Sequence, residues 1–145
     1  MTGDEIPDSD YVSRYCGGSQ IDEDGIVDGA AFRPREGEKY LSVNWLDFLQ
    51  LSNREDQINK IRNVLSSKLD CGSKAGIAVL NVGETINYVA GKSLDKRKLR
   101  VLHEPDDPDD PSHSGIFNFT HDDDLIADII AETVLDVYSA IGNPR

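Results

Sequence analysis

Two of the three histidines in this 145-residue chain, His103 and His113, bracket the acidic segment Glu-Pro-Asp-Asp-Pro-Asp-Asp-Pro-Ser of residues 104–112. Imidazole titrates near neutral pH, so a histidine pair beside carboxylates and hydroxyls is a natural place for proton transfer or ligand binding. The repeated Asp-Asp-Pro unit cannot run as a helix, because proline lacks an N–H and restricts the residue before it. Apolar runs at Leu99–Leu102 and Gly115–Phe119 read as strands on either side. If these strands are neighbours, the two imidazoles meet at one sheet edge, and His103, His113 and Ser112 form the candidate catalytic set. Their spacing matches no established metal motif, so neither a metal nor a cofactor is assigned.

A second set is basic. Arg14, Arg33 and Ser42, with Arg35 nearby, are candidate ligand-binding residues, since a guanidinium fork grips a carboxylate or phosphate with two parallel bonds. Cys16, in Tyr-Cys-Gly-Gly-Ser, has the form of a thiol nucleophile awaiting His103 or His113 as base. A small buried thiol is the plainer reading. Residues 20–31 place Gly25, Asp22 and Asp24 as a calcium loop would. Gln20 at the first position and Ala31 at the twelfth, where a bidentate Glu is needed, exclude an EF-hand. There is no Gly-x-Ser-x-Gly elbow, phosphate loop or dinucleotide fingerprint.

The elements that must position these residues follow from pattern and punctuation. Residues 1–9 are acidic and rich in turn formers and are expected to fray; residues 10–145 form a single domain. Asp10 is expected to cap a short helix through Tyr15, stopped by Gly17-Gly18. Tyr40–Trp45 alternates as a strand. Ser52 and Glu55 have capping-box form, and Ile58, Ile61, Leu65 and Leu69 continue at helical spacing until Asp70-Cys71-Gly72. Residues 75–82 are almost wholly apolar, as in a strand buried on both faces. Residues 85–89 suggest another strand or a short helix. From Thr120 or His121 a last helix carries an apolar stripe as far as Ile141. Asp124, Asp128, Glu132 and Asp136 recur every four residues on its far side, where like charges cost roughly 0.2–0.5 kcal/mol per pair. Either packing overrides that cost or the stripe meets a basic partner. The expected fold is α+β: a small mixed β-sheet packed against two main helices on one face.

Charge limits the partners. Fifteen Lys and Arg against 27 Asp and Glu give a net charge of −12, which repels nucleic-acid phosphates and anionic lipid. No run of apolar residues is long enough to span a bilayer, and the acidic N-terminus is unlike a signal peptide. A cytoplasmic protein that binds neither nucleic acid nor membrane is expected.

Tyr11–Arg14, Asp28–Arg33, Tyr40–Asn44 and the His103-Glu104-Pro105…Pro111-Ser112-His113 block together resemble a set of small bacterial proteins of unknown function. In that set an "Ala-Phe-Arg … Leu-Ser-Val" block precedes a "His-x-Pro … Pro-x-His" block. The resemblance implies that the two blocks belong together. The chain is also similar to ADP-ribosyltransferase-type folds, in which Arg14 and Ser42 would take the places of an early Arg and a later strand Ser. Two functions are therefore expected. One is an acidic interaction or accessory module that works with a basic protein encoded beside it, such as a toxin or defence component. The other is a small enzyme or ligand-binding domain built around His103 and His113.

Overall fold

A computed structural model describes residues 2–68 and 72–141. The strands are β1 (Tyr11–Cys16), β2 (Tyr40–Trp45), β3 (Gly76–Asn81), β4 (Arg100–His103), β5 (His113–Phe117) and β6 (Asp136–Ser139). The helices are α1 (Arg54–Lys68), α2 (Val82–Lys92) and α3 (Asp124–Ala131). The fold is α+β, and all six strands join one sheet in the order β4-β5-β2-β1-β3-β6. Every pairing between these strands is antiparallel, where a mixed sheet was expected.

Alternation within the strands divides the core in two. On one face Val12, Leu41, Val43, Leu80, Val101 and Ile116 are buried with Phe32, Phe119 and the apolar sides of α2 and α3. On the other, Ile77 and Val79 meet Ile58, Ile61 and Leu65 of α1. Helices therefore cover both faces rather than one, and among the described residues there are three α-helices rather than two main ones. The two-sided burial of β3 explains its unbroken apolar sequence. Helix α1 begins one residue later than the capping box suggested, with the Asn53 side chain accepting from the Asp56 N–H at 2.8 Å in place of Ser52. Residues 85–89 lie within α2, whose cap is Asn81. The expected end of α1 at Leu69, Asp70 and Cys71 lies outside the described residues.

Three further expectations are corrected. Tyr11–Tyr15 is a strand, not a helix, and the side chain of Asp10 accepts from the Trp45 indole at 2.9 Å instead of capping. Within residues 1–9, expected to fray, residues 3–6 run along β4, and the Asp8 carbonyl then accepts from the Gly83 N–H at the start of α2. Ile6 N–H donates to Val101 O at 3.0 Å, His103 N–H to Asp4 O at 2.8 Å, and the Ile6 side chain enters the core. The segment thus covers a sheet edge that would otherwise present unpaired backbone groups. The last helix stops at Ala131, and Asp136–Ser139 turns back as β6 beside β3. A central strand needs partners for the backbone groups of both its edges, and this demand outweighs the helical spacing of Val134, Val137, Tyr138 and Ile141. Asp124, Asp128 and Glu132 share a helical end of the fold; Asp136 belongs to the sheet.

Candidate functional site

The sheet is split near its centre. β1 and β2 pair only at Val12↔Trp45 and Ser13↔Asn44, while β1 follows β3 for six residue pairs and β2 follows β5 for five. Beyond Asn44, β2 points its next free carbonyl, that of Ser42, into a gap where no strand stands. Arg14 fills the gap. Its Nη1 donates to Ser42 O at 3.0 Å and its Nε to Ala31 O at 2.8 Å, so one guanidinium supplies the donors that a missing strand would have given. Ala31 is held there by the 3-10 turn Gly29–Phe32, capped by the Asp28 side chain.

On the α1 side the split opens as a cleft of about 300 Å³ that contains Ser42, His113, Arg14, Arg35, Glu38 and Lys68 among its lining residues. The His113 ring lies with Nδ1 2.8 Å from Glu104 O and Nε2 3.2 Å from Ser42 Oγ. A carbonyl can only accept, so Nδ1 carries a proton. In the neutral ring Nε2 is then bare and accepts from the Ser42 hydroxyl. This is the arrangement of a hydroxyl paired with a base, the base being oriented by a third group.

Arg14 stands out electrostatically. Burial pushes its guanidinium below its ordinary pKa, against a weaker upward pull from Glu38; among the described residues it forms no ion pair, and its two hydrogen bonds go to neutral carbonyls. Lys68 is different: its Nζ lies 2.9 Å from Asp110 and 3.6 Å from Asp106. Desolvation, the largest single influence, pulls its pKa down, but Asp110 and Asp106 together outweigh it and the net shift is upward. A cation with only neutral acceptors, beside Arg35 and a Ser–His pair, favours a ligand that brings negative charge.

His103 and His113 do not share this site. β4 pairs with β5 at His103↔Ser114, so His113, one residue earlier on β5, faces the opposite side of the sheet. His103 is buried, its ring 5.1 Å from that of Trp45 and 4.6 Å from that of Phe48. Its Nε2 donates to Pro111 O at 2.7 Å, tying down the acidic loop. Ser112 is buried too, bonded to Asn44 and Asp110. The catalytic grouping of His103, His113 and Ser112 is therefore corrected: His113 reaches the cleft, and the other two brace the loop that presents it.

The ligand-binding set also divides. Arg14 and Ser42 meet, whereas Arg33 turns to His121 O and to Asp124, 3.1 Å away, and Arg35 lines the cleft. Lys68 and Glu38 were missed. Neither carries a local signal, since Lys68 reaches the cleft only because α1 ends against it.

Cys16 is fully buried in the core. Burial pushes its thiol up to about 11, and its Sγ lies 3.5 Å from the Arg14 carbonyl. The thiol-nucleophile reading is set aside. At pH 8 the upward shift alone lowers the thiolate fraction about 100-fold, so iodoacetamide is expected to leave Cys16 unmodified in the folded protein and to label it in urea. Peptide mass spectrometry reads the difference, and rapid native labelling would contradict it.

Among the described residues no helix is long and apolar enough to cross a membrane. No family model, curated protein or solved structure matches the chain.

Proposed function

We propose that the protein binds a small anionic molecule, bearing a carboxylate or phosphate, in the cleft between β1 and β2. The observation that carries this reading is the Arg14 guanidinium, whose hydrogen bonds in the split sheet go to two neutral carbonyls, with Glu38 acting on it only from beyond ion-pair distance. Arg35 adds a second fork at the rim, and the Ser42–His113 pair provides a hydrogen-bonding and proton-transfer group beside the anion. The cleft is at the small end of the usual range for ligand pockets, which suits a compact metabolite rather than a polymer. The accessory-module reading rests on the acidic helical end and concerns a different surface.

Titration with inorganic phosphate and, separately, citrate tests the proposal by two-dimensional amide NMR. Saturable shifts are expected at Ser42, His113 and Arg35 and at the Arg14 side-chain N–H. Arg35→Ala is expected to weaken binding about tenfold, as loss of a charge-assisted bond worth roughly 1.5 kcal/mol would. If neither anion produces saturable shifts at these positions, the reading fails.

A further inference from the structure

A second depression, of about 530 Å³, lies between the C-terminal end of α2 with the turn after it and helix α3. It shares no lining residue with the β1–β2 cleft. Two leucines stand beside it in the open: Leu94 is 95% exposed and Leu125 67% exposed, with Ile126 and Ile129 buried beneath. Exposing a leucine forgoes roughly 1.5–3 kcal/mol of burial. The turn that carries Leu94 is nevertheless tied down at the neighbouring residue: Ser93 Oγ donates to Val89 O at 2.6 Å and accepts from Arg97 N–H at 2.8 Å.

The rim is acidic, and its own cations are already engaged. Arg97 bonds Asp95 and Asp123, and Lys92 bonds Glu132. Asp124 is shared with Arg33. Asp122 and Asp128 are exposed and have no cation partner among the described residues. These acids include the Asp124, Asp128 and Glu132 of the sequence stripe, now seen beside an apolar floor.

We propose that this groove docks a basic amphipathic segment of a partner protein, its apolar side on Leu94, Leu125 and Ile129 and its lysines or arginines against Asp122 and Asp128. Charge complementarity selects this occupant. A second copy of a chain carrying −12 would set acid against acid, and nucleic acid or anionic lipid would be repelled in the same way. A helix laid in an apolar groove with charges at its margins is a recurrent mode of peptide recognition.

The probe is a synthetic leucine–lysine peptide of about 14 residues, roughly four helical turns, compared with a peptide of the same composition in scrambled order. Amide NMR mapping is expected to place the shifts at residues 93–95 and 122–132, with binding weakened by added salt. Leu94→Ser with Leu125→Ser, both at exposed positions, is expected to reduce affinity at least tenfold while circular dichroism stays unchanged. Asp122→Lys with Asp128→Lys is expected to do the same. Equal binding of the scrambled peptide, shifts spread over other acidic surface, or indifference to the leucine variants would overturn the proposal. So would a concentration-dependent dimer that the leucine variants abolish, since that would assign the groove to a second copy.

Discussion

Arg14→Met is expected to destabilise the fold by about 2–4 kcal/mol and to remove anion binding in whatever fraction remains folded. The variant leaves the carbonyls of Ala31 and Ser42 without the donors they now have. A buried acceptor stripped of its partner costs about 1–3 kcal/mol. Two such losses set the upper bound at roughly 6 kcal/mol. Against this stands a gain. The guanidinium is itself penalised by burial, as its lowered pKa records, and methionine of similar length escapes that penalty. The net effect therefore falls below the bound. Arg14→Lys separates geometry from charge, because one ammonium keeps the cation but cannot hold both carbonyls in the fixed fork of a guanidinium. Urea denaturation should rank wild type above Arg14→Lys and Arg14→Lys above Arg14→Met. If lysine supports wild-type stability, the split in the sheet does not depend on a fork.

The same residue marks how far the sequence could be read. Arg14 and Ser42 stand out in the sequence as candidates for ligand binding because a guanidinium and a hydroxyl carry their chemistry in the side chain. That they meet depends on β1 leaving β2 after two residue pairs, and no local pattern announces where a strand changes partner. Strong periodicity matches the observed type of element at Tyr40–Trp45, a strand, at Ile58–Ile61–Leu65, a helix, and over most of residues 75–82, where Gly76–Asn81 is a strand with two buried faces and Val82 already opens α2. Failures came where tertiary demand beat local preference. Tyr11–Tyr15 follows a good capping residue, yet it lies between β2 and β3 and pairs with both. The run after Ala131 keeps helical spacing, yet β3 needs a neighbour on its outer edge.

The histidines teach a narrower lesson. β4 and β5 do become neighbours, as the His-Pro loop implied. However, a period of two in a strand means that one residue of offset decides which face a side chain takes. The pairing His103↔Ser114 puts His113 out of step. Sequence spacing across a loop of unknown geometry carries no information on that offset. The outcome is a division of labour: His103 secures the loop from the core side, and the loop then presents the Glu104 carbonyl that orients His113 on the other.

That dependence makes Asp110→Ala the second severe variant, with an expected loss of about 2–4 kcal/mol. The Asp110 carboxylate is almost fully buried and accepts from Asn44 Nδ2 at 2.7 Å, Ser112 Oγ at 3.4 Å and Lys68 Nζ at 2.9 Å. It thereby joins the acidic loop to β2 and to the end of α1. Lys68, about one-third exposed, can turn to water and to Asp106, so its share of the loss is small. The larger share comes from Asn44 and Ser112, which lose a charged acceptor in a site too buried for water to replace it. The sign of the pH dependence follows from Lys68. Its folded pKa is raised, so the stability from the pair is fully present below the ordinary lysine value and fades only as the pH climbs through the raised one. The deficit of the variant should therefore be constant from about pH 6 to 9 and shrink only above that range. Because Asp110 also lines the cleft and its loss frees the Lys68 ammonium there, the folded fraction of the variant is expected to bind phosphate more tightly, not less. Lys68→Met, which keeps the carboxylate and its bonds to Asn44 and Ser112, tests whether the loop or the cation matters more. Should Lys68→Met prove as damaging as Asp110→Ala, the ion pair rather than the buried knot holds the loop in place.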